Sequence, residues 1–257
     1  MVTNPKKIIA VVPARMGSTR FPGKPLAPIL GIPMIEHVYR RTAMSRILDD
    51  VYVATCDVKI MEAVAAFGGK AIMTSSRHER ASDRVAETLE TIDADIAVMV
   101  QGDEPMVHPD MIDAAVGPFL SESGAFQCIN LTAPITTEEE FRNPNTIKVV
   151  MDTRGVAAYM SREPIPNCKQ GAFESISAYK QVCIIPFTTE SLRLFNRLSP
   201  TPLEKAESID MLRFIEHGYT VKMVLTAHET QAVDTEEDRR QVEARLRVDP
   251  LTATYLV

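Results

Sequence analysis

The feature that most constrains this chain is an alternation of short apolar runs with longer amphipathic stretches through its first hundred residues. Apolar runs at 8–12 and 51–54 precede stretches with helical spacing at 33–46 and 57–67. Residues 71–73 and 96–100 read as further strands, and between them 82–92 carries Val85, Ala86, Leu89 and Ile92 at helical intervals. A strand reaches a parallel neighbour only through a crossover connection, so this rhythm predicts an α/β fold with a mostly parallel sheet. The run Ile96-Ala-Val-Met-Val100 is apolar at every position rather than every second one, as in a strand covered on both faces.

The texture then changes. Between residues 126 and 187 the segments are short and interrupted by Pro134, Pro144, Pro164, Pro166 and Pro186, which predicts a smaller region of strands and loops serving to cover substrate or to dimerise. Thr201-Pro-Leu-Glu204 combines an N-cap, a proline at the first helical position and a capping-box glutamate, predicting one helix that ends near Gly218. A strand at 221–225 and a capped helix from near Thr235 complete the chain. The expectation is a single domain over 1–257, with about 126–187 as a smaller β-rich subdomain for acceptor binding or dimerisation.

Charge and cysteine spacing narrow the partners. A formal charge of -6 supplies no electrostatic footprint for nucleic acid, so any phosphate must meet a local basic cluster. Cys56, Cys128, Cys168 and Cys183 lie far apart with no CxxC pair, which argues against a zinc site or a secreted disulfide framework. The first apolar run is broken by Pro13 and Arg15, and no stretch of 18 apolar residues follows; the expectation is a cytoplasmic protein with neither membrane nor nucleic acid as partner.

Two loops carry the chemistry. The first strand runs into Pro13-Ala-Arg-Met-Gly-Ser-Thr-Arg-Phe-Pro-Gly-Lys24, three cations and two glycines leaving the carboxyl end of a strand, where open α/β sheets bind ligands. Gly17 and its neighbours let backbone N–H groups approach phosphate oxygens, while Arg15, Arg20 and Lys24 can neutralise a triphosphate and a departing pyrophosphate. The pattern is neither GxxxxGK[ST] nor GxGxxG, and a solvated basic loop remains the plainer alternative. Gln101-Gly-Asp-Glu-Pro105 follows the strand 96–100 and raises Asp103 on a glycine turn, which suits a magnesium ligand as well as a turn cap. Val233-Asp234-Thr235 sets a further carboxylate before a helix, a pattern that on its own is usually structural.

Taken in order, the Pro13 to Lys24 loop, Val-Gln-Gly-Asp-Glu-Pro, Asn143-Pro-Asn-Thr-Ile-Lys148, Tyr159-Met-Ser-Arg162 and Val233-Asp-Thr resemble the CMP-Kdo synthetases, the 3-deoxy-manno-octulosonate cytidylyltransferases. The resemblance spans nearly the whole chain. It implies a Rossmann-like nucleotidyltransferase fold with a small β-rich subdomain, CTP and an acidic acceptor as partners, magnesium as cofactor, and a homodimer. By the same resemblance Pro13, Ala14, Arg15, Gly17, Ser18, Arg20 and Lys24 would hold the nucleotide, with Ser82, Arg84, Gln101 and Asp103. Asp103 and Asp234 would hold magnesium, and Arg15, Lys24, Asp103 and Asp234 form the catalytic set. Gln101 would touch the ribose or the acceptor, and Arg162 would face the acceptor's carboxylate.

The chain departs from the family pattern where the acceptor would lie. A family histidine and tyrosine become Gln181 and Ile185, and a glutamate and glutamine become Asp210 and Met211. Unpaired hydroxyls of a polyhydroxylated sugar against Ile and Met would each cost about 1–3 kcal/mol. The expected acceptor is therefore Kdo, another keto-sugar acid or a small phosphonate. A catalytically silent CTP sensor is the alternative from another class.

Overall fold

The computed structural model describes residues 6–17, 21–121, 126–169 and 171–256. In chain order its strands and helices begin with β1 (Ile8–Ala14), β2 (Pro28–Ile29), β3 (Ile32–Pro33), α1 (Met34–Thr42), β4 (Asp50–Thr55), α2 (Val58–Ala66), β5 (Ala71–Met73), α3 (Ala81–Thr91) and β6 (Ile96–Val100). Then come α4 (Pro109–Ser121), β7 (Cys128–Pro134), α5 (Glu138–Arg142), β8 (Lys148–Met151), β9 (Ala157–Ser161), β10 (Tyr179–Val182) and β11 (Ile184–Thr188). The chain closes with α6 (Thr189–Arg197), α7 (Pro202–Glu207), α8 (Met211–Glu216), β12 (Val221–Leu225) and α9 (Glu236–Val248). It divides into two compact units, residues 1–113 with 229–257, and residues 114–228.

In the first unit the order β5-β4-β1-β6 is parallel throughout. All five residues of β6 are buried, which accounts for its unbroken apolar run. Because the strands are parallel, the turns after β1, β4 and β6 emerge at one end of the sheet. The C-terminal segment returns to this unit through an apolar cluster in which Ile29 and Met34 meet Val233, Val242 and Leu246. Two polar contacts hold it there: Arg239 donates to the Pro28 carbonyl at 2.8 Å, and Arg41 pairs with Asp249 at 2.6 Å.

The second unit is built largely on antiparallel pairing. β7 takes β10 and β11 as antiparallel neighbours and β12 as a parallel one, while β8 lies between β10 and β9. The helix expected to run unbroken from Thr201 to near Gly218 is two helices. Ser208 adopts a left-handed conformation with φ 56°, which ends α7, and α8 starts only at Met211. Glu204 still accepts from the Thr201 N–H at 3.2 Å, so the predicted N-terminal signal marks the true start. No helix among the described residues is long and apolar enough to cross a membrane.

Candidate functional site

Three loops meet at the carboxyl end of the parallel strands. β1 delivers the basic loop, whose described part is held from two directions. The Met16 N–H donates to the Asp57 carboxylate just past β4 at 2.8 Å, and the Gly23 N–H donates back to the Met16 carbonyl at 3.3 Å. Gly23 has φ 72°, a conformation that glycine adopts without strain, and it turns the chain so that Lys24 opens the short 3-10 turn Lys24–Leu26.

The loop after β6 approaches β1 closely. A side chain on Gly102 would bring its Cβ within 2.9 Å of the Pro13 carbonyl oxygen, so only a residue without one lets the next residue, Asp103, reach its position. The Asp103 carbonyl accepts from the Val233 N–H at 2.9 Å, which ties this loop to the segment entering α9. There Asp238 receives the N–H groups of Asp234 at 3.0 Å and Thr235 at 2.8 Å, fixing the backbone that carries the Asp234 side chain.

The result is a convergence of residues far apart in sequence. Lys24 Nζ donates to Asp103 Oδ2 at 2.7 Å and to Asp234 Oδ1 at 3.1 Å. Burial pulls the Lys24 ammonium down, and the two carboxylates more than offset it, leaving its pKa above the ordinary lysine value. The side chains of Asp103 and Asp234 are about one-fifth exposed, at 21% and 20%, so both can be reached from solvent. Both carboxylates converge on the Lys24 ammonium, and a small hard cation held here would take its oxygen donors from the same pair.

Arg15 is exposed and has no ion pair among the described residues, Gly17 is exposed, and Pro13 and Gln101 are half-buried. Ala14 is buried at the end of β1. Ser18 and Arg20 lie outside the described residues. Ser82 and Arg84 are buried on α3, and the Arg84 guanidinium donates to Thr74 and, at 3.7 Å, to the Cys56 sulfur. Arg84 thus braces the strand ends next to Asp57 instead of offering a free cation.

The expected acceptor residues belong to the second unit, apart from Gln101. Gln181 donates to Asn130 Oδ1 at 2.5 Å. Ile185 and Met211 are 2% and 0% exposed, and the Met211 sulfur lies 3.5 Å from the Cys128 thiol, so both side chains pack the core and present no surface to an acceptor. Asp210 is half-buried at the start of α8. Arg162 follows β9, and its Nε and Nη1 donate to the carbonyls of Glu207 at 2.7 Å and Pro144 at 3.1 Å. Asp57 and Lys148 were not among the expected site residues. Asp57 is visible in the sequence only as the residue before α2, the position of an ordinary cap.

A family model described as cytidylyltransferase matches residues 9–229. A 3-deoxy-manno-octulosonate cytidylyltransferase of Geobacter metallireducens is 44% identical, over 93% of this chain and 98% of its own. An 8-amino-3,8-dideoxy-manno-octulosonate cytidylyltransferase of Shewanella loihica is 41% identical, over 94% of this chain and 99% of its own. Among solved structures, CMP:2-keto-3-deoxy-manno-octonic acid synthetase complexed with CTP is 37% identical and superposes with a TM-score of 0.85, covering 97% of this chain and 100% of that one. The chain belongs to the cytidylyltransferase family of the CMP-Kdo synthetases and is a CTP-dependent nucleotidyltransferase.

Proposed function

We propose that the chain transfers CMP from CTP to an eight-carbon 3-deoxy keto-sugar acid, Kdo or its 8-amino form, with magnesium held by Asp103 and Asp234. The observation that carries this reading is the meeting of Lys24, Asp103 and Asp234 beside the basic loop. An acceptor hydroxyl oxygen attacks the α-phosphorus, a new P–O bond forms, and the bond to the β-phosphate breaks with release of pyrophosphate. Magnesium, when bound, neutralises charge on the phosphate oxygens. Arg15 and the backbone N–H groups of the basic loop orient the triphosphate, and Lys24 contributes a permanent positive charge at the same end of the sheet. Catalysis is then mostly alignment and electrostatics, with no covalent enzyme intermediate.

The two acceptors remain in competition because relatives named for each resemble this chain to a similar degree, at 44% and 41% identity. Pyrophosphate release from CTP and magnesium, measured with Kdo, 8-amino-Kdo, other keto-sugar acids and a small phosphonate, decides between them. Turnover with either octulosonate supports the proposal; turnover confined to another acceptor sinks it. We also propose a cytoplasmic homodimer, on family resemblance alone. A monomeric mass in sedimentation at micromolar concentration would count against the dimer.

A further inference from the structure

Lys148 has no solvent exposure and, among the described residues, no carboxylate within hydrogen-bond reach. Its ammonium donates instead to three backbone carbonyls, those of Asn143 at 2.9 Å, Thr146 at 2.7 Å and Arg162. An ammonium has three hydrogens, so each one is used. Burying such a group where a methionine would fill the space needs a reason, because desolvating a charge without a counter-ion is costly.

The neighbouring contacts suggest what that reason is. The Glu207 carboxylate accepts from the Arg162 N–H at 2.8 Å, the Ser161 hydroxyl at 2.6 Å and the Tyr159 hydroxyl at 3.3 Å. Burial pushes the Glu207 carboxyl up, and these hydrogen bonds more than offset it, so Glu207 sits below its ordinary value as a firm acceptor. Arg162 is therefore held at its backbone N–H by Glu207, at its carbonyl by Lys148, at Nε by the Glu207 carbonyl and at Nη1 by the Pro144 carbonyl. Lys148 also fixes the 143–146 turn that supplies Pro144. What remains is Nη2, the guanidinium nitrogen with no hydrogen bond among the described residues, on a half-buried side chain.

We infer that Lys148 and Glu207 are positioning residues that clamp Arg162 from both sides and aim its free guanidinium edge at the acceptor's carboxylate. The inference rests on the acceptor reading of Arg162. Fixing a guanidinium in advance removes the ordering cost of a long side chain and keeps its fork aligned with a carboxylate. The hydrogen bonds of the clamp run among residues 143–162 and Glu207, so its loss is expected to act on the acceptor and to leave CTP binding alone.

Initial rates with Kdo and CTP varied independently test this in Arg162→Ala, Lys148→Met, Glu207→Gln and the Lys148→Met/Arg162→Ala double variant. The expected result is a rise in KM for Kdo of about tenfold or more in each single variant with KM for CTP unchanged, and no further rise in the double variant. A double variant showing the product of the two single effects would overturn the clamp. An unchanged KM for Kdo in folded Lys148→Met and Glu207→Gln, beside a raised one in Arg162→Ala, removes the clamp and leaves the acceptor role of Arg162 standing. No change in Arg162→Ala removes both. If Lys148→Met does not fold, Glu207→Gln, which keeps the side-chain shape, decides whether the clamp stands.

Discussion

Gly102 and Asp103 show how much of the site turns on single atoms. The 2.9 Å approach of a Cβ at Gly102 to the Pro13 carbonyl means that Gly102→Ala must push apart the turns after β1 and β6. Overpacking of this kind costs about 1–3 kcal/mol, and here the displaced residue is Asp103. The expected outcome is a lower melting temperature together with a fall in kcat; wild-type values for both would show that the two turns yield without consequence. Asp103→Asn and Asp234→Asn keep the shape and remove one charge from the Lys24 cluster, so each should lower turnover by about 100-fold or more while leaving the melting transition close to wild type. Steady-state rates over a magnesium titration measure this, and near-normal turnover in both would dismiss the metal assignment. That Lys24, Asp103 and Asp234 come together was legible because each stands in a run of the kind that phosphate and metal chemistry favours. Asp57 was not, because its role depends on receiving the Met16 N–H across 41 residues, and a carboxylate before a helix has the same local signature whether it caps, braces or binds.

At the scale of elements, the parallel strands were the readable part. β5, β6 and β12 have the bounds that their apolar runs predicted, and in β6, buried at all five positions, the strand writes its length directly into the sequence. The pair α7 and α8 was misread as one helix because the apolar spacing continues through Ile209, Met211, Leu212 and Phe214, and nothing local announces the left-handed turn at Ser208. A long-range contact accompanies the break: the Glu207 carbonyl, which a continuing helix would use, accepts from Arg162 Nε. The two helices are joined by a buried ion pair, Arg213 donating to both Glu204 oxygens at 2.8 and 2.6 Å, with side-chain exposures of 6% and 1%. The Arg213 guanidinium also lies 4.1 Å from the centre of the Phe195 ring on α6. Removing one member leaves a buried charge uncompensated, so Glu204→Ala is expected to lower stability by about 3–5 kcal/mol. Denaturant unfolding checks it, and a loss below about 1 kcal/mol would show that α7 and α8 are held by apolar packing alone.

Stability against pH is a property of the whole molecule, and Lys148 makes part of it predictable. Burial pushes its ammonium down to about 8 from the ordinary 10.5; Glu163 and Glu207 pull it up and Arg162 pushes it further down, without cancelling the effect of burial. Between those two values the unfolded chain keeps a proton on Lys148 that the folded chain has released. The unfolded state then binds more protons, so stability must rise with pH through this window, with a slope approaching about 1.4 kcal/mol per pH unit. Below pH 8 both states hold the proton and above 10.5 neither does, so the contribution is flat on either side. Other groups titrate in the same range, but they are common to the wild type and Lys148→Met, so the difference between the two isolates Lys148. Unfolding free energies of both proteins from pH 7 to 10.5 should show wild type gaining on the variant across the window. A difference that stays level would mean that the three carbonyls stabilise the ammonium as well as water does, and burial would no longer account for the charge state of Lys148.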